Sequence, residues 1–179
     1  MRLIAVAFLF LILSVGGALF YSVDKRIERK SGRGVSTNAL LPDFKLVALD
    51  GTEISSYAAI GAECNLIVFV NPGCSHCDTQ LTALAALEKT LPVTVIADLT
   101  EESEYERHRI EESYGSRFKI YFDRFGERKE RLGIEIVPYT LLVDKEKYVR
   151  MAFEGERDAG FLSEALNRLS RTSDEEVER

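Results

Sequence analysis

Leu66-Ile67-Val68-Phe69-Val70-Asn71-Pro72-Gly73-Cys74-Ser75-His76-Cys77 is the stretch that decides the fold. Its first five residues are apolar and rich in β-branched side chains, as expected of a strand buried on both faces. Asn71-Pro72-Gly73 is a turn signal. From Asp78 to Thr90 the pattern is helical, and Leu81, Leu84 and Leu87, with Leu91, give that helix an apolar face. Two cysteines separated by two residues therefore sit where a buried strand becomes a helix. The first helical turn has backbone N–H groups without intrahelical partners, and the macrodipole adds partial positive charge there. A Cys74 thiolate placed at that point is stabilised by both, ionises nearer neutral pH and attacks disulfides. Cys77, one turn on, is placed to resolve the mixed disulfide.

Outward from this stretch, the chain alternates. On its N-terminal side, Phe44 to Leu49 reads as a strand, Asp50-Gly51 as a turn and Thr52-Glu53-Ile54 as a return strand. Ser55 to Ile60 reads as a short helix capped by Ser55 or Ser56. On its C-terminal side, Val93 to Ala97 is a second buried strand ending at Asp98, and a helix runs from about Thr100 to Tyr114, stopped by Gly115. Phe118 to Phe122 is a short strand, and Arg124 to Leu132 a charged, exposed helix ended by Gly133. Tyr139 to Val143 and Tyr148 to Phe153 make a hairpin across Asp144-Lys145-Glu146-Lys147, and Phe161 to Leu169 is the last amphipathic helix. This order predicts an α/β domain, a mixed central sheet flanked by helices.

The 179 residues allow one domain and an appendage. The net charge of −6 argues against nucleic acid as a partner. Three cysteines, an odd number, suggest one working pair and a bystander rather than a disulfide-stapled scaffold. Cys64 lies at the opposite end of the central strand, more than about 15 Å from the turn and beyond disulfide reach, and is expected to be buried.

Leu3 to Val23 carries no charge, and its 21 residues span about 31 Å as a helix, enough for a bilayer core. A cleaved signal peptide fits Arg2 and the small residues Val15 to Ala18. The run continues through Leu19-Phe20-Tyr21, which favours an uncleaved transmembrane anchor. Lys25, Arg26, Arg29, Lys30 and Arg33 follow it, a bias that on its own holds the C-terminal flank inside. The polar, small-residue stretch to Leu40 reads as a flexible linker. Its basic cluster is either simply solvated or drawn to anionic lipid head groups.

The element order, with C-x-x-C at the first strand-to-helix turn, resembles the thioredoxin fold. Leu41-Pro42-Asp43-Phe44-Lys45-Leu46 with Asp50-Gly51, the short Tyr121-Phe122-Asp123, Leu132-Gly133-Ile134 and Val137-Pro138-Tyr139-Thr140-Leu141-Leu142-Val143-Asp144 look like the membrane-anchored TlpA/ResA/CcmG branch. That resemblance implies residues 1–23 as anchor or uncleaved signal, 24–40 as linker, 41–170 as a thioredoxin-like domain and 171–179 as a disordered tail. It implies a membrane-tethered thiol-disulfide oxidoreductase outside the cytoplasm, working without cofactor or metal. Its partners would be protein thiols and disulfides, such as apocytochrome c, other assembly factors or misfolded secreted proteins, and a membrane electron donor or acceptor. Cytochrome c maturation and extracytoplasmic redox homeostasis are the settings it suggests.

By the same resemblance Pro138 is a cis-proline facing the cysteines, with Gly73, Val137 and Tyr139 around the substrate. Two departures stand out. Gly73 occupies the place of a Trp, and Val68 that of thioredoxin's buried Asp. Asp98 is therefore a candidate to accept the Cys77 proton, against a plain strand-end or capping role. His76, where the oxidant DsbA also has His, is expected to tune the Cys74 thiolate, against a plain exposed loop His. His108, among charges in mid-helix, is expected to be exposed. Two other classes compete. A peroxiredoxin-like peroxidase would need Thr where Asn71 stands. A metal site built on Cys74, His76 and Cys77 lacks a second ligand pair.

Overall fold

The structure is a computed structural model and describes residues 34–61, 64–87, 92–99, 104–165 and 167. The expected anchor, the linker up to Arg33 and the tail 171–179 lie outside the described residues. Among the described residues no helix is long and apolar enough to cross a membrane.

The elements follow as β1 (Lys45–Ala48), β2 (Glu53–Ser55), α1 (Ser56–Ile60), β3 (Asn65–Val70), α2 (Ser75–Ala85), β4 (Val93–Asp98), α3 (Glu104–Tyr114), β5 (Lys119–Asp123), α4 (Glu127–Glu130), β6 (Tyr139–Val143) and β7 (Val149–Glu154). A last helix, α5, covers residues 159–165. The sheet runs β2-β1-β5-β4-β3-β6-β7. Its centre is parallel, with Phe69 beside Ile96 and Ile96 beside Tyr121. On one side β6 pairs antiparallel with β3 and β7 antiparallel with β6, and on the other β1 pairs antiparallel with β5 and β2 antiparallel with β1. This is the expected mixed α/β sheet in a thioredoxin-like arrangement.

The central strand explains the layers. Alternate side chains of a strand point to opposite faces. Leu66, Val68 and Val70 join Leu81 and Leu84 of α2, Ile110 of α3 and Leu162 of α5 on one face. Ile67 and Phe69 join Ala59 and Ile60 of α1 with Leu41, Phe44 and Ile134 on the other. All five central residues are at most 1% exposed, so each contributes about 1.5–3 kcal/mol of burial. An apolar run without alternation is what two covered faces require.

The opening segment is tied down by Asp43. Its Oδ1 accepts from Ser55 Oγ at 2.7 Å and Ser56 Oγ at 2.9 Å, at the start of α1. Ser55 is the N-cap and accepts the Tyr57 N–H. Burial pushes the Asp43 carboxyl up, but bonds from Ser55, Ser56 and the Tyr57 and Phe44 N–H groups outweigh it and hold the pKa low.

Two expectations are corrected. The charged helix over Arg124 to Leu132 is a single turn, and it is not wholly exposed, because Arg128 is 2% exposed. Asp123 accepts the N–H groups of Phe125, Glu127 and Arg128. The chain thus curls around the end of β5 and carries Arg128 inward. Cys64, expected to be buried, is exposed and unpaired. The next residue, Asn65, takes the buried position and donates to the Ile60 carbonyl at 3.3 Å.

Candidate active site

β3 delivers the chain to the site and Gly73 turns it. Gly73 has φ +76°, a conformation L side chains rarely adopt, so the turn into α2 is made by the residue best suited to it. Cys74 and Cys77 are joined as a disulfide with their Cα atoms 5.2 Å apart. Cys74 is the N-cap of α2: its Sγ accepts the Cys77 N–H at 3.2 Å, and its carbonyl accepts those of Cys77 and Asp78. Cys74 is half-buried, whereas Cys77 is 1% exposed and packs in the core. The outer sulfur is the one a substrate can reach. It also holds the helix N-terminal position that favours a thiolate.

The segment opposite leads into β6. Because Phe69 pairs with Tyr139, the residue before β6 lies beside the end of β3, where the cysteine turn begins. The Val137–Pro138 bond is cis. Ile136 is 46% exposed and Val137 half-buried, so an apolar rim lies on the approach to Pro138. The Pro138 carbonyl accepts the Gly155 N–H at 2.8 Å.

The remaining expected residues fall differently. Tyr139 does not line a substrate surface: it is 4% exposed, packs with Phe69 and Leu141, and its hydroxyl accepts the Val35 N–H at 3.1 Å. Strand alternation beside Pro138 turns its ring into the core. Asp98 is engaged with Arg128, whose Nη2 donates to Oδ2 at 2.5 Å. Asp98 also sits in register with buried Asp123, whose carboxylate accepts the backbone N–H of Arg128. That environment gives Asp98 a structural task at the sheet end. His76 is exposed, and its Nδ1 lies 3.1 Å from Glu156 Oε2, in the β7–α5 turn. His108 is exposed beside Glu111.

Sequence reading missed three partners. Glu156 and Arg157 follow Gly155 in that turn, and the Arg157 N–H donates to Oε1 of fully buried Gln80 at 2.7 Å. Asp78, next to Cys77, accepts the Tyr114 hydroxyl at 3.0 Å and pairs with Arg109 at 3.7 Å. Burial first, and the Asp78 bond second, push the Tyr114 pKa up to about 12. A cleft of about 440 Å³ lined by Val47, Leu99, Arg107 and Phe122 lies on the β1–β5 side and contains neither cysteine. Among the described residues no group of three His, Cys, Asp or Glu side chains is arranged to hold a metal ion.

The AhpC/TSA family model matches residues 37–152, more than half of the chain. The chain belongs to the AhpC/TSA family. No curated protein matches it. Solved structures similar to this AhpC/TSA-family chain are thioredoxin-like. A thio-disulfide isomerase from Thermus thermophilus is 27% identical, with a TM-score of 0.60 over 74% of this chain and 95% of that one. The thioredoxin domain of a thiol-disulfide oxidoreductase from Bacteroides vulgatus is 17% identical (TM-score 0.61; 75% and 98% covered). StoA from Bacillus subtilis is 16% identical (TM-score 0.56; 70% and 96% covered). The last two show the fold alone. The family member described here is thus a thioredoxin-like protein related to thiol-disulfide oxidoreductases.

Proposed function

We propose that the protein is a membrane-tethered thiol-disulfide oxidoreductase exchanging disulfides with protein substrates through Cys74 and Cys77. The observation that carries this reading is a cysteine pair of unequal access: a half-buried Cys74 capping α2 and a buried Cys77 bonded to it. In the reducing direction the Cys74 thiolate attacks a substrate disulfide. An S–S bond to Cys74 forms, and one substrate thiolate leaves. Cys77 then gives up its proton, attacks Cys74 Sγ and expels the second substrate thiolate. Two electrons pass to the substrate and the Cys74–Cys77 disulfide is formed. A dithiol donor resets the pair; with an oxidising acceptor the same steps run in reverse. Pro138, Val137 and the exposed Ile136 form the apolar side of the substrate approach, and Gly73 leaves the other side open.

The uncharged apolar run Leu3 to Val23 supports a tethered protein, and the resemblance to TlpA-like proteins supports an extracytoplasmic domain. Protein thiols near the membrane, including those of apocytochrome c, are the substrates of this reading. Cytochrome c maturation and extracytoplasmic redox homeostasis are its settings, with a membrane electron donor or acceptor as the second partner. A reporter fused after Arg179 and read for exported or cytoplasmic activity tests the topology.

The activity is tested by insulin reduction with a dithiol donor. The wild type is expected to catalyse it, Cys74→Ser to abolish it, and Cys77→Ser to accumulate a mixed disulfide through Cys74. Peroxide consumption without disulfide exchange would overturn the reading in favour of a peroxidase. A bound metal whose loss leaves the thiols unreactive would overturn it in favour of a metal site.

A further inference from the structure

The turn after β7 touches both halves of the redox site through three consecutive residues. The Gly155 N–H donates to the Pro138 carbonyl at 2.8 Å. Glu156 Oε2 lies 3.1 Å from His76 Nδ1. The Arg157 N–H donates to Oε1 of Gln80 at 2.7 Å. His76 and Gln80 are one turn apart, so they lie on the same stripe of α2. Glu156 therefore stands between two backbone anchors, one on the cis-proline segment and one on the cysteine helix.

That setting separates it from an ordinary surface carboxylate. An exposed ion pair usually gains little, because two long side chains must be ordered to make it. Here the backbone on either side of Glu156 is already fixed, so less ordering is needed. Arg157, the neighbouring cation, turns its guanidinium over the rings of Phe153 and Phe161 and donates to the Glu156 carbonyl.

We infer that Glu156 is a positioning residue for His76, holding the imidazole on the β7–α5 turn and so limiting the stabilisation it gives the Cys74 thiolate. The inference rests on the reading of Cys74 as nucleophile. His76 is two residues from Cys74, and an imidazole whose Nδ1 is held at Glu156 is kept on the turn rather than left free to approach the sulfur. With Glu156 present, part of the stabilisation of the reduced form is diverted to the turn. Without it, the imidazole serves the thiolate. The reduced form is then favoured and the disulfide becomes the stronger oxidant.

The test is the equilibrium of the full chain with reduced and oxidised glutathione, with thermal unfolding as the control for fold. It is run at about pH 5, where imidazoles carry their proton. Glu156→Gln is expected to raise the equilibrium constant for reduction by about two- to five-fold, the size of one pair at a partly exposed site. In a His76→Ala background the same substitution is expected to change it much less. A structural role alone would move the melting temperature and leave the constant where it was. An unchanged constant overturns the inference, and so does an equal rise with His76 absent, which would mean that Glu156 acts by its charge alone. If Glu156→Gln does not fold, Glu156→Asp, which keeps the charge but shortens the reach, is expected to give a smaller rise with the same dependence on His76. A wild type that exchanges with glutathione while Glu156→Gln matches it removes only this inference. A wild type that does not exchange removes the redox reading itself.

Discussion

Arg128→Met is the most informative perturbation of stability. Arg128 is 2% exposed, and its Nη2 donates to Asp98 Oδ2 at 2.5 Å. Asp98 pairs in register with Asp123, which is 1% exposed. Methionine fills much of the arginine's volume but removes the guanidinium that pairs with the Asp98 carboxylate. Removing one member of a buried ion pair costs about 3–5 kcal/mol, because the remaining charge stays desolvated. Asp98→Asn in the same chain removes the charge that the lost guanidinium faced. The double variant should therefore recover most of the loss, since replacing a whole buried pair is often close to neutral. The assay is denaturant unfolding of the four proteins in the cycle, read at the midpoint with the slope checked for constancy. A cost below about 1 kcal/mol for Arg128→Met, or no recovery in the double variant, would refute the reasoning. It would mean that water or another cation reaches the Asp98 carboxylate. The same cycle separates the two roles considered for Asp98: the Cys77 thiol titration is expected to be unchanged by Asp98→Asn while stability falls.

Three further outcomes are expected. Gly73→Ala should destabilise by about 1–2 kcal/mol, because φ +76° is unfavourable for any residue with a Cβ, although no atom lies within 4 Å of that Cβ; thermal unfolding checks it. Gly34→Ala should cost more, because its Cβ would meet the Tyr139 hydroxyl, and a small effect in denaturant unfolding would show that the ring can move aside. Tyr114 favours its neutral form in the fold, with its pKa raised from 10.0 to about 12. Its contribution is fully present below pH 10 and lost as pH rises through about 12, so alkaline unfolding should flatten in Tyr114→Phe, followed by phenolate absorbance and circular dichroism.

The sheet and the cysteine turn were legible because local signals and tertiary demands coincide there. Leu66 to Val70 is apolar without alternation since both faces are covered, and Gly73 with the cysteines marks the passage from strand to helix. The β6–β7 hairpin was legible for the same reason: its polar turn separates two apolar runs. Arg128 was not legible. In sequence it is one charge among many in Arg124 to Leu132, and only the curl imposed by Asp123 turns it inward. Tyr139 was misplaced because nearness to Pro138 in sequence does not say which face of β6 a ring occupies. Glu156 was invisible for a different reason: its partner lies 80 residues away, and nothing in either segment's own pattern names the other.

The capping arrangement at Cys74 has a kinetic side. In the proposed exchange, the Sγ that receives the Cys77 N–H is also the sulfur that departs when a substrate's second thiol attacks the mixed disulfide from the substrate side. A sulfur with a waiting amide and a helix end behind it departs more easily than an ordinary thiol, since a lower leaving-group pKa speeds exchange. Stabilisation at that atom thus shortens the lifetime of the covalent complex and opens an exit in which the substrate rearranges its own bonds. How often that exit is used depends on whether Cys77 reaches Cys74 first. In that exchange the burial of Cys77, in one core cluster with Leu81 and Leu84, sets the time available.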